Sequence, residues 1–88
     1  MMLINSIYRS TVHAAASRES RLVEETIRAY YGSVVESVFV NNCPGGCQIT
    51  IVHRAESAGR AFRMAEEITS VAFARPELRV QVLGVQTH

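Results

Sequence analysis

Apolar positions along the chain recur with two different periods. Leu22, Val23, Ile27, Tyr30 and Tyr31 stand three and four residues apart with charged residues between them, which predicts an amphipathic helix. Ser17 or Ser20 supplies its cap and Gly32 its stop. A second stripe, Ala58, Ala61, Phe62, Ala65, Ile68 and Ala72, predicts a helix that starts after Ser57 and ends before Pro76. Between these helices the period falls to two. Ser33 to Val40 is β-branched and aromatic, and from Cys47 to His53 the residues Ile49 and Ile51 alternate with Gln48 and Thr50. The turn cluster Asn41-Asn42-Cys43-Pro44-Gly45-Gly46 joins the two runs, so the segment predicts a β-hairpin with a long loop. Leu78, Val80 and Val82 alternate with Arg79 and Gln81 in a last strand that runs to about Val85.

The N-terminus reads two ways. Ala16, Val12, Tyr8, Ile4 and Leu3 continue the helical spacing backwards, so residues 1–16 form either an added helix, joined to the next or separate, or a fourth strand. The remaining order is helix, strand, strand, helix, strand. It predicts one α+β domain over residues 1–88, a two-layer sandwich with both helices on one face of a mixed three-stranded sheet. Type II KH domains share this order, but they clamp nucleic acid with a GxxG loop between two helices. Neither Gly45-Gly46 nor Gly59 supplies that loop, and a shared order carries no function by itself.

At 88 residues the core is thin, because a chain of this size buries only about 60 to 65% of its unfolded surface. All nine basic residues are arginine and all eight acids are glutamate, for a formal net charge of +1. A charge so near neutral argues against a general nucleic-acid coat, which needs a net basic field or a segregated basic face. No run of 18 apolar residues occurs, so no membrane-spanning helix is expected. Met1 to Ile4 is apolar, but no basic stretch precedes it and Asn5, Ser6 and Arg9 interrupt it, unlike a secretory signal. The expectation is a cytoplasmic protein of bacterial or phage origin with no membrane partner.

The most distinctive motif is Cys43-Pro44-Gly45-Gly46-Cys47. A disulfide would close a very small loop, which a reducing cytosol disfavours, and two free cysteines in a glycine-rich turn is the preferred reading. A zinc site needs further ligands, and the nearest, His53, lies about 20 Å along the strand from Cys47. The motif also lacks the two-residue spacing of a redox pair and the Lys and helix start of a phosphate loop. His13 belongs on a surface, His88 is terminal, and His53 reads as a satisfied strand-end histidine. Glu24-Glu25 and Glu66-Glu67 are sequence neighbours on different azimuths of their helices, not a facing acid/base pair. The pairs Glu56/Arg60 and Arg63/Glu67 stand four apart as solvated decoration. No catalytic residue, metal or cofactor is expected.

What remains is apolar surface. With Ile49, Ile51, Leu78, Val80 and Val82 facing the helices, Val52, Leu83 and Val85 face away. One of two sets in the first hairpin strand joins them, Val34/Val38/Val40 or Val35/Phe39. Monomers seldom expose a large apolar patch, so residues 1–16, a second copy or another protein should cover it. The leading expectation is a non-enzymatic protein–protein interaction module, homodimeric through its sheet face, such as a small phage- or mobile-element-encoded inhibitor that binds and occludes a larger protein complex. Tyr30, Tyr31, Val52, Leu83 and Val85 are its expected apolar anchors, with Arg60, Arg63 and Arg79 as rim contacts. The alternative is a small nucleic-acid-binding domain in which Arg54, Arg60, Arg63 and Arg79 converge and the tyrosines stack on bases.

Overall fold

The computed structural model describes residues 5–75 and 77–88. Six elements follow one another: β1 (Ser6–Ala14), α1 (Ser20–Tyr31), β2 (Val35–Cys43), β3 (Gly46–Ala55), α2 (Ala58–Phe73) and β4 (Val80–Thr87). The N-terminal segment is therefore a strand from Ser6 onward, and Leu3 and Ile4, used above to extend a helix, lie outside the described residues. The strands lie in the order β2-β3-β1-β4, which is the β-α-β-β-α-β, ferredoxin-like arrangement.

The expected α+β class and the two helices are present, whereas the expected mixed three-stranded sheet is replaced by a four-stranded antiparallel one. The cause is β1. It inserts between β3 and β4, so the two strands joined through α2 run parallel but are not neighbours, and every adjacent pair is antiparallel. The hairpin differs too. Cys43 pairs with Gly46, leaving only Pro44 and Gly45 in a tight turn rather than a long loop. Pro44 followed by Gly45 at φ 84° is the pattern of a type II turn. At Gly46, φ is 155° and a Cβ would lie 2.2 Å from the Ala14 carbonyl oxygen, so the turn packs on the end of β1 only because no side chain is present.

Burial follows the alternation. On one side of the sheet Val12, Ala14, Cys47, Ile49 and Ile51 are fully buried, and the last four share one apolar cluster with Val23 and Ile27 of α1 and Ile68 and Ala72 of α2. α2 starts where Ser57 Oγ accepts from the Arg60 N–H at 3.2 Å, as the sequence predicts, and its last carbonyls are met by the N–H of a left-handed Ala74. α1 is bounded differently from expectation: Glu19 occupies its cap position without a side-chain bond. Its first turn is tied to β2 instead, with Asn42 Nδ2 donating to the Arg18 carbonyl at 3.3 Å and lying 3.4 Å from Ser20 Oγ.

Candidate functional site

Among the described residues three polar side chains are fully buried: Thr69, whose hydroxyl donates to the Ala65 carbonyl within α2, and a pair on the sheet. Ser10 on β1 and His53 on β3 both have no exposed surface, and Ser10 Oγ lies 2.8 Å from His53 Nε2. The other ring nitrogen, Nδ1, is buried without a hydrogen-bond partner. Burial pushes the His53 imidazole below its ordinary pKa, and the nearby Arg54 backbone offsets this only in part, so the ring is held neutral. The pair has the elements of a nucleophile and its base, but both atoms sit under the helices where no substrate reaches them. His53 is thus a core histidine rather than a strand-end one.

The thiols are free. Cys47 is fully buried, and burial followed by the neighbouring Cys43 thiol raises its pKa, which keeps it protonated and unreactive. No group of three metal-ligating side chains occurs among the described residues, and no helix among them is long and apolar enough to cross a membrane.

A groove of about 730 Å³ runs between the helices, lined by Arg18, Thr26, Tyr30, Tyr31, Ser70 and Arg75 among others. Its charges are already engaged. Arg18 donates to the Ala72 carbonyl in the last turn of α2 and to Thr26 Oγ1 at 3.3 Å, which places a cation at the negative end of that helix. Arg75 pairs with Glu77 at 3.5 Å, and burial together with the adjacent Glu67 carboxylate raises the Tyr31 phenol. The groove is a structural seam with Tyr30, 73% exposed, on its rim.

Among the described residues no helix covers the other side of the sheet. Register places one row across all four strands, Phe39, Thr50, Thr11 and Gly84, and the next row is Ser37, Val52, Arg9 and Gln86. Arg9 bonds Gln86 across the β1–β4 pair. Threonine and glycine at the centre leave a depression of about 340 Å³ bounded by Arg9, Thr11, Thr50, Gly84 and Gln86. At opposite edges stand Phe39 and Leu83, 69% and 52% exposed.

Of the expected anchors, the structure brings Val52 and Leu83 to this open face. Val85 faces the other way. A bulge between Thr11 and Val12 of β1 leaves Leu83 of β4 without a partner and shifts the alternation, so that Val85 pairs with buried Ser10. Of the two candidate sets on the first hairpin strand, Phe39 points outward, while Val35, Val38 and Val40 pair with helix-facing His53, Ile51 and Ile49. Tyr30 and Tyr31 lie on α1 and Arg60 and Arg63 on α2, in the opposite layer, and Arg79 is exposed just before β4. Arg54 lies on the open face within 3.9 Å of Glu36. The four arginines therefore do not converge. Thr11, Thr50 and Gly84 escape sequence reasoning because small residues in a strand carry no signal until their row across the sheet is known.

Comparison with protein-family models, curated proteins and solved structures returns no match for this chain. The fold arrangement hosts many functions and carries none by itself.

Proposed function

We propose that the chain is a non-enzymatic protein-interaction module whose open sheet face docks a larger protein, as an occluding inhibitor would. One observation carries this reading. Phe39, Val52 and Leu83 stand on a helix-free sheet face around a depression floored by Thr11, Thr50 and Gly84, which is the shape that receives an apolar anchor from a partner. Arg9 and Gln86, bonded to each other at the rim, offer the polar contacts that surround such an anchor. Self-association across the same face is the competing way of covering these side chains. The nucleic-acid alternative loses support from the separation of Arg54 from Arg60 and Arg63, and from the open side of β1 and β3, where a four-stranded RNA-binding sheet stacks its bases: it carries no Phe, Tyr or Trp and offers one ring, His13, at the end of β1.

The test is affinity capture from nuclease-treated host lysate with wild type, Phe39→Glu, Val52→Glu and Tyr30→Ala side by side. The expected result is a stoichiometric protein retained by wild type and by Tyr30→Ala, and reduced at least about tenfold by either sheet-face change, with melting temperatures unaltered. Retention indifferent to Phe39 and Val52, or lost with the nuclease, rejects the reading.

A further inference from the structure

The two edges of the sheet are built differently. β2, at one edge, carries Glu36 beside a register shift between Val35 and Ser37, and Pro44 follows directly after it. A charge, a bulge and a proline are the ordinary defences of an edge against pairing with another chain. β4, at the other edge, runs Val80-Gln81-Val82-Leu83-Gly84-Val85-Gln86-Thr87 with neither charge nor proline.

Its free backbone groups follow from the bonds at its two ends. The Arg79 carbonyl accepts from Ala15 N–H, and His88 N–H donates to the Ile7 carbonyl, so residues 79 and 88 turn their backbone toward β1. Alternation inward from both ends leaves Val80, Val82, Val85 and Thr87 with N–H and C=O directed at the edge that no described strand covers, while Gln81 and Gln86 point theirs at β1. The bulge at Leu83 is what lets both halves obey this pattern.

The arrangement is symmetric about the Leu83–Gly84 peptide. A second β4 laid antiparallel with a two-fold axis at that point sets Val82 opposite Val85, Val80 opposite Thr87 and Gln81 opposite Gln86 of the other copy. Each of the first two pairs joins residues whose backbone groups are free, and these exchange both hydrogen bonds. Face matches face as well: Val80, Val82, Val85 and Thr87 pair with Ala14, Val12, Ser10 and Tyr8 on the helix side, whereas Gln81 and Gln86 pair with His13 and Arg9 on the open side. An unbulged strand of this sequence would bring unlike faces together in the same register.

The geometry points to β4 as a self-pairing edge: two copies join antiparallel through it into one continuous eight-stranded sheet. The interface is isologous, as a two-fold dimer requires, and its affinity comes from main-chain bonds with valine and glutamine pairs setting the register. It is independent of the docking reading, since the open face stays uncovered and the two depressions come to lie on one surface.

Sedimentation over a concentration series tests this directly. Wild type is expected to pass from the 9.7 kDa monomer to twice that mass. Gln81→Glu with Gln86→Glu places like charges opposite each other in both symmetry-related pairs, while each new carboxylate faces His13 or Arg9 within its own chain. This variant should stay folded by circular dichroism and dimerise at least about tenfold more weakly. Gln81→Lys with Gln86→Glu sets opposite charges in the same two places and should restore the dimer. A wild type that is monomeric up to its solubility limit overturns the proposal. So does a dimer indifferent to both edge variants, or one dissolved by Phe39→Glu and Val52→Glu instead, which would place the contact on the open face.

Discussion

The two faces of β3 carry opposite assignments on one strand. Toward the helices it presents Cys47, Ile49, Ile51 and His53, all without exposed surface; toward the open side it presents Gln48, Thr50, Val52 and Arg54, each at least partly exposed. The helix-facing set fixes the register of β1 and β2 on either side, because a slip of one residue would exchange the two sets everywhere. The open set is free of that duty. Its composition is thus where a binding surface can be written without cost to the fold.

The sharpest way to break this comparison is to truncate neighbours from opposite faces. Ile51→Ala empties a fully buried site between the sheet and the helices and should cost about 2 to 5 kcal/mol in urea unfolding. Val52→Ala, one residue on and partly exposed, should cost below about 1 kcal/mol. Comparable losses at both sites would mean that the open face is covered in solution, as it would be in a stable assembly.

The next effect concerns the one polar pair on the buried face. Ser10→Ala strips His53 Nε2 of its only side-chain partner in a ring whose Nδ1 already has none, and should cost about 1 to 3 kcal/mol. Ser10→Ala with His53→Leu removes both polar groups at once and should recover most of that loss. The pH dependence has a definite sign. Because burial lowers the His53 pKa below its ordinary 6.5, the unfolded chain binds the extra proton more readily. Wild-type stability should therefore be level above about pH 6.5, relative to this group, and fall as the pH drops from there through the lower folded value. Thermal melts of the double variant should lack that acid limb. A limb unchanged by the double substitution would assign it to another group.

The same pair explains what the sequence concealed. α2 was legible in full, from the Ser57 cap to the stop before Pro76, because its apolar stripe is unbroken. β2, β3 and β4 were legible as strands for the same reason. β1 was legible only as one of two alternatives, since its helix-facing residues Tyr8, Ser10, Val12 and Ala14 include a serine, and only the distant His53 makes a buried serine acceptable. Leaving residues 1–16 open between helix and fourth strand left the central position unfilled, and with it the antiparallel sheet unread. The candidate site suffered from one further fact: a bulge inverts every side chain beyond it. Leu83 was placed correctly and Val85, two residues on, was not, because alternation counted through the bulge assigns Val85 to the wrong face.

The smallest expected effect separates fold from function most cleanly. Gly84 floors the open-face depression with Thr11 and Thr50, and a Cβ added there meets no atom within 4 Å, so nothing in the fold requires glycine. Glycine inside a strand costs about 0.5 to 1 kcal/mol relative to alanine through the entropy of the unfolded chain, and β-branched residues suit a pleated surface better still. Gly84→Val should therefore leave stability unchanged or raise it by up to about 1 kcal/mol, even though it places two methyl groups beside Thr11 and at the mouth of the depression. If the depression receives a partner's side chain, the same variant should lose affinity capture of that partner while unfolding at equal or higher urea. Retained capture would move the contact from the Thr11/Thr50/Gly84 floor to the Phe39 side of the face, where the row across the sheet ends on β2.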